Sequence, residues 1–275
     1  MVAGTGTKPD AGRAEGPVMT AASPLRVWRE CDGKLLRLRL SRPKANIVDA
    51  EMIAALDDAL AEGIADRHLC AVLLDAEGSH FSFGASVPEH LPETCAAMIR
   101  SLDRLILRMV RSPVPILVAV RGQCLGGGLE VACGGHLIFA TPDSRFGQPE
   151  IQLGVFAAAA SCLLPERIGR PQAEDLLISG RSITGQEAAA MQLVNTVSDD
   201  PEAAALAYFN QHIAPRSASS LRFAVRAARV GMVKRVEVNL AAVEELYLDG
   251  LMSTHDAVEG LRAFIDKRPP QWHDE

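Results

Sequence analysis

The sequence predicts an α/β fold, and three observations lead to that prediction. Apolar runs typical of strands alternate with stretches of helical periodicity over roughly the first 200 residues. Some of these runs are short and continuously apolar, such as Val114–Val120, which indicates buried strands. Beyond about Pro201 the pattern is helical, with no convincing strand. We therefore expect a disordered tail over residues 1–22, a core that holds the active site over 23–200, and a helical C-terminal region over 201–275.

The first part of the core begins with a strand and a helix. Leu35–Leu40 reads LLRLRL, and this alternation predicts a half-buried strand. The stretch from Asp49 to Ala61 has helical spacing, with Asp49 as its expected N-cap. Ala71–Leu74 is a short apolar run that predicts a buried strand, and it leads into the loop HFSFGAS, residues 80–86.

A second helix and strand precede a run of three glycines. Thr94–Val110 has helical periodicity, and Val114–Val120 predicts the next strand. This strand leads into Gly126, Gly127 and Gly128 and then into a helical stretch, LEVAC. His136–Ala140 predicts another strand, and residues 145–150 are expected to form the loop after it.

Composition excludes several classes of protein. Lys and Arg total 28 against 34 Asp and Glu, so the net charge is −6, and no basic cluster indicates a nucleic-acid partner. No apolar run reaches the roughly 18 residues of a membrane span, and no secretory signal is visible, so we expect a cytoplasmic protein. The spacing of the six cysteines and the histidines does not indicate a metal site.

The three glycines are the first candidate for a binding site. Glycine lets a ligand approach the backbone closely, and a helix that starts there presents free N–H groups and a positive dipole end. Such a place suits a developing negative charge. Tight packing of the strand against the helix explains three glycines equally well, and no dinucleotide or phosphate-loop fingerprint is present.

Two glutamates near these segments are candidates for acid/base chemistry. Glu130 lies two residues after Gly128, next to a strand that is predicted to be buried, and burial would raise the pKa of its carboxyl. Glu150 ends the loop FGQPE, where Pro149 restricts the backbone. Either residue could instead be a solvated surface carboxylate, and spacing alone does not bring the two together.

Five segments in order resemble the enoyl-CoA hydratase (crotonase) family. Residues 119–155, VRGQCLGGGLEVACGGHLIFATPDSRFGQPEIQLGV with its edges, resemble the family signature. The other matches are RPKAN (42–46), FSFGAS (81–86), LISGRSITGQEAAAMQLVN (177–195) and FIDKRPPQW (264–272). Together they cover the chain from about Leu25 onward, which makes the resemblance far more specific than a single motif.

The resemblance implies a fold, an assembly and a set of roles. The fold would be a spiral of ββα units with a helical C-terminal region that builds trimers or hexamers. Coenzyme A would enter as part of the substrate, with no separate cofactor. The implied site residues are Ala85 and Gly127 for the oxyanion hole, Glu130 and Glu150 for acid/base catalysis, and Lys44, Ala45, Phe264 and Lys267 for CoA. Phe264 and Lys267 would reach the CoA of a neighbouring subunit.

The substrate is suggested by departures from the family pattern. Ser86 and Pro88 stand where the family has Asp and Lys, and the alanines at 157–160 replace a glycine-rich run. The strings HFSFGASV, QPEIQLGVF and AASCLLPERIG resemble hydratases that act on cyclohexa-1,5-diene-1-carbonyl-CoA. A straight-chain 2-enoyl-CoA hydratase is the alternative. A third possibility is a non-catalytic RNA-binding relative, but that function needs a lysine-rich helix face, which this sequence does not show.

Overall fold

The computed structural model describes Met1 and residues 23–275 and confirms the α/β class. The predicted tail, apart from Met1, lies outside the described residues. The strands are β1 (Leu25–Glu30), β2 (Leu35–Leu40), β3 (Ala71–Ala76), β4 (Ile116–Val120), β5 (Gln123–Leu125), β6 (Leu137–Ala140), β7 (Arg145–Gly147), β8 (Ser182–Thr184) and β9 (Thr196–Val197). The helices are α1 (Ala50–Ala65), α2 (Cys95–Val110), α3 (Gly127–Gly134), α4 (Ala158–Ile168), α5 (Arg170–Ser179), α6 (Gly185–Ala190), α7 (Pro201–Tyr208), α8 (Ala218–Glu245) and α9 (His255–Ile265).

The strands form two sheets. The larger has the order β1-β2-β3-β4-β6-β9, in which β1 is antiparallel to β2 and the other neighbours are parallel. The smaller has the order β5-β7-β8. Helices α1 to α5 share one hydrophobic core with one face of the larger sheet, and α7 packs on the other face. Because β4 leads directly into β5 and then α3, residues after β4 pass from one sheet to the other beside the glycine run.

The predicted α1 and α2 are confirmed with small shifts of their ends. The Asp49 carboxylate accepts a hydrogen bond from the Met52 amide at 3.0 Å, as an N-cap does. Helix α1 continues to Ala65, four residues beyond the predicted end. Helix α2 begins at Cys95 and ends at Val110. Both helices bury their apolar stripes against the larger sheet.

The prediction of a half-buried β2 is wrong, because this strand is buried on both faces. The side chain of Arg37 lies in the interior, 2% exposed, under α7. It forms ion pairs with Asp75 at 2.5 Å and with Glu202 at 2.6 Å. A guanidinium can be buried where carboxylates satisfy its donors, and Glu202 of α7 supplies one of them.

The loop predicted over 145–150 is also only partly correct. Its first three residues are β7, the central strand of the smaller sheet, and Pro149–Leu153 forms a short 3-10 helix. Strands β1, β5, β8 and β9 were not predicted at all. Segments of two or three residues such as β9 and β5 carry too little pattern to be recognised, since their pairing depends on distant segments.

The chain is helical after Val197, as predicted. Helix α8 has 28 residues, of which only Val236 and Leu240 are buried. A wider, π-type turn and a 3-10 turn connect it to α9, which packs beside the 3-10 helix at Pro149–Leu153. Within residues 23–275, no helix is both long and apolar enough to cross a membrane.

Candidate active site

The two amides predicted for the oxyanion hole lie next to each other. A parallel bridge from Ser82 to Cys124 pairs the loop after β3 with β5, which leads into α3, and a second bridge pairs Ala85 with Val48, just before α1. A Cβ atom placed on Gly127 would lie 3.1 Å from the Ala85 nitrogen. Neither amide donates a hydrogen bond to a described residue, and Gly127 is the first residue of α3, where no intrahelical acceptor exists. The pair can therefore bind a carbonyl oxygen.

Gly126 brings the Glu150 carboxylate to the same place. Its φ of 48° and ψ of −130° are favourable only for glycine. A Cβ atom on Gly126 would lie 2.5 Å from Glu150 Oε1, so any larger residue would displace the carboxylate. The backbone that precedes the Gly127 amide is thus in contact with one of the two candidate acids.

Glu130 is in the first turn of α3 and is 5% exposed. Its Oε1 accepts a hydrogen bond from the Ala160 amide at 2.8 Å. Burial raises the pKa of the Glu130 carboxyl above its ordinary value, and the amides of Ala160 and Ala159 partly offset that rise. The alanine run at 157–160 thus directs the N-terminus of α4 at this carboxylate.

Glu150 is in the 3-10 helix after β7 and is only partly buried. Burial raises the pKa of its carboxyl, and the negative charge of Glu130 raises it further. The Glu130 amide donates to the Gly126 carbonyl at 3.0 Å, and a Cβ atom on Gly126 would lie 2.5 Å from Glu150 Oε1, so the two glutamates, 20 residues apart in sequence, meet at Gly126. A close pair of carboxyls with raised pKa values can hold and exchange a proton near neutral pH.

Gln148 is a candidate positioning residue that the sequence reasoning missed. Its side chain is completely buried. Oriented with its nitrogen toward Glu150, the amide donates to Oε2 at 3.1 Å and to Oε1 at 3.3 Å. The sequence signal is in FGQPE, where an amide stands two residues before the acid and directly after Phe146 and Gly147.

Two adjoining cavities lead to Glu150 and to the backbone at Ala85 and Gly126, and Glu130 lines neither of them. The smaller, about 60 Å³, is bounded by Glu150, Gly126 and Ala85 and by mostly apolar side chains. The larger, about 690 Å³, opens beside it and is bounded by Ile47, Ser86, Phe264 and other residues. Both are lined by Phe83, Ala85, Val87, Pro149 and Leu153. The arrangement fits a small acyl group in the inner cavity and a longer carrier in the outer cleft.

The four residues predicted to bind CoA differ in their relation to the cleft. Phe264, 55% exposed, lines it. The Ala45 carbonyl accepts a hydrogen bond from the Phe83 amide at 2.9 Å, so Ala45 supports its wall. Lys44 and Lys267 are exposed and do not line the cleft, whereas Arg268 does. Their contacts with CoA stay predictions.

Known proteins resemble this chain over almost its whole length. Residues 30–275 match the family model for enoyl-CoA hydratase/isomerase. A Thauera aromatica protein named cyclohexa-1,5-dienecarbonyl-CoA hydratase is 65% identical over 92% of this chain and 98% of its own length. The 2,3-dehydroadipyl-CoA hydratase of Escherichia coli is 31% identical over 87% of this chain and 95% of its own length.

A solved structure supports the same relationship. The crystal structure of an enoyl-CoA hydratase/isomerase from Pseudoalteromonas atlantica superposes with a TM-score of 0.80. It is 28% identical, and the match covers 90% of this chain and 99% of that one. With the family model, the relatives and the fold in agreement, this chain belongs to the enoyl-CoA hydratase/isomerase family.

Proposed function

We propose that this protein is a hydro-lyase that adds water to cyclohexa-1,5-diene-1-carbonyl-CoA and forms 6-hydroxycyclohex-1-ene-1-carbonyl-CoA, a step of anaerobic benzoyl-CoA degradation. The observation that supports this choice of substrate is the 65% identity to the Thauera aromatica hydratase across nearly all of both chains. The two neighbouring glutamates and the pair of free amides support the reaction type.

In the proposed mechanism the thioester carbonyl binds to the amides of Ala85 and Gly127. Their hydrogen bonds polarise the conjugated system and make the β-carbon electrophilic. Each donor of this kind contributes about 10²–10³-fold to the rate. Water then forms a C–O bond at the β-carbon, and the electrons move toward the carbonyl as a dienolate.

The two glutamates divide the proton transfers. The pKa values of both carboxyls are raised, so the pair holds one proton between them while the other carboxyl is ionised. The ionised glutamate takes one proton from the water as the C–O bond forms. The protonated glutamate delivers its proton to the far carbon of the diene. The product has gained one water and keeps one α,β double bond, which is a 1,4-addition.

A straight-chain 2-enoyl-CoA hydratase would use the same groups, so the substrate must be tested directly. We expect kcat/KM for the ring diene to exceed that for crotonyl-CoA by about 10–200-fold, which is the discrimination that a better fit of the acyl group in an apolar pocket provides. Running the diene reaction in deuterated water and locating the deuterium by NMR tests the site of protonation. Equal or better kcat/KM on crotonyl-CoA would reject the ring substrate, and deuterium only at the α-carbon would reject the 1,4-addition.

The assembly of the protein is part of the proposal. The exposed apolar residues of the C-terminal region support a trimer or a hexamer, and they include Phe223, Val230 and Val238 on α8, each more than half exposed. Phe264 and Lys267 would contact CoA from α9 and the residues after it.

A further inference from the structure

His90 is a polar residue in the wall of the inner cavity, and the mechanism above does not use it. It ends a single-turn 3-10 helix, Val87–His90, that follows the oxyanion loop. Among the described side chains that line the cavity, only those of Glu150 and His90 carry nitrogen or oxygen. The remaining side chains of the wall are apolar: Phe83, Ala85, Val87, Pro149, Leu153, Val155 and Leu261.

The hydrogen bonding of the ring defines which nitrogen can accept. Nδ1 of His90 lies 2.9 Å from the backbone carbonyl oxygen of Ser86. A carbonyl only accepts, so Nδ1 carries the hydrogen and Nε2 presents a lone pair. Burial lowers the pKa of the ring and keeps it neutral. Nε2 has no hydrogen-bond partner within residues 23–275.

A count of hydrogens indicates what this lone pair is for. The reacting water has two hydrogens and meets two carboxyls. The addition needs one carboxyl protonated and the other ionised, so the protonated one donates to the water oxygen and only the ionised one is left to accept a water hydrogen. Apart from His90, the other described side chains of the wall are apolar and could not accept the second hydrogen, and an unpaired hydrogen is unfavourable in a buried site.

We propose that Nε2 of His90 accepts the second hydrogen of the reacting water and keeps that hydrogen bond when the water has become the product hydroxyl. One O–H bond of the water breaks, with its proton going to the ionised glutamate, while the other O–H bond stays intact and points at His90. This inference rests on the proposed hydratase function and adds a residue that positions the nucleophile.

The test compares ligands with and without the hydroxyl in three variants. His90→Phe keeps an aromatic ring without an acceptor, His90→Gln restores an acceptor, and Val87→Ala changes an apolar residue of the same wall as a control. For each we would measure kcat and KM for dehydration of the hydroxyacyl-CoA, and the inhibition constant of the matching saturated acyl-CoA.

We expect His90→Phe to raise KM for the hydroxyacyl-CoA by roughly 5–100-fold, the effect of one lost buried hydrogen bond. Its inhibition constant for the saturated acyl-CoA should stay within about twofold, because that ligand has no hydroxyl to lose. His90→Gln should recover part of the loss. Val87→Ala should affect both ligands equally.

Two results would overturn the role of His90. Equal weakening of both ligands by His90→Phe would mean that the residue only shapes the cavity, and no weakening of either would mean that it does not contact the hydroxyl. The assay uses whichever hydroxyacyl-CoA the wild type dehydrates, so rejection of the ring substrate leaves it intact. If the wild type dehydrates none, the hydratase proposal fails, and the affinities of 3-hydroxybutyryl-CoA and butyryl-CoA still measure the hydroxyl contact.

Discussion

At the scale of single residues, the two glutamates have different surroundings although they share one chemical group. Glu130 is buried and accepts from the N-terminus of α4, whereas Glu150 is partly open to a cavity and is next to the charge of Glu130. This asymmetry makes one carboxyl the base and the other the acid in the proposed mechanism. Their chemical types were readable in the sequence, but their unequal surroundings were not.

Replacing either glutamate tests this division. We expect Glu130→Gln and Glu150→Gln each to lower kcat by about 10²–10⁴-fold, the usual contribution of acid/base catalysis. The kcat of the double variant should fall by much less than the product of the two single fold-reductions, because both glutamates act on one water. Steady-state kinetics of hydration would measure these losses.

Butyryl-CoA binding should remain close to that of the wild type in both variants. Glu166→Gln is a suitable control, since Glu166 lies on α4 but pairs with Arg235 at 2.6 Å, away from the cavities. A single glutamine variant with near wild-type turnover would show that the two-glutamate mechanism is wrong.

At the scale of elements, the site depends on the junction of β5 and α3. The turn at Gly126 allows α3 to start directly beside the loop of Ala85, and it leaves room for the Glu150 carboxylate. The three glycines therefore have a structural and a functional reason at once, which the sequence left as alternatives.

Gly126→Ala should reduce both stability and activity. Its positive φ would cost about 1–3 kcal/mol in the free energy of unfolding, and its Cβ would collide with Glu150. Gly169 is a matched control, because its φ of 76° is also positive but nothing lies within 4 Å of an added Cβ. Denaturant unfolding should show a lower free energy of unfolding for both Gly126→Ala and Gly169→Ala. The kcat should fall only for Gly126→Ala. Full activity in a folded Gly126→Ala protein would contradict this account of the turn.

At the scale of the whole molecule, the C-terminal region covers the site on one side and leaves apolar surface on another. The 3-10 helix of Glu150 packs against α9, and Leu261 of α9 closes the inner cavity. Helix α8, in contrast, exposes Phe223, Val230 and Val238 to 65%, 59% and 69%. Exposed apolar residues along one helix are typical of a surface for subunit contact.

We therefore expect the protein to sediment as a trimer or hexamer, because association would cover this surface. Deleting the residues after Gly250 should weaken both assembly and CoA affinity, since it removes α9 with Phe264 and Lys267. Analytical ultracentrifugation and CoA titration would measure the two effects, and Phe264→Ala in the full chain would separate loss of a CoA contact from loss of α9. A fully active monomer would contradict the predicted assembly.

The sequence by itself determined the fold class, the principal helices and strands, and the residues from which a site could be made. These depend on local periodicity and on short motifs, which a chain carries in its own order. Only the tertiary structure decided that β2 is buried on both faces, because Glu202, 165 residues after Arg37, supplies the charge that lets Arg37 lie inside.

The same reason applies to the site. That Ala160 donates to Glu130, that Gln148 faces Glu150 and that His90 opens on the inner cavity could not be read from spacing. Each of these contacts joins segments whose distance in space depends on how two sheets and their helices pack. Hydrogen bonds, burial and pKa shifts follow from that packing, so the chemical identity of the residues was available in the sequence and their working environment was not.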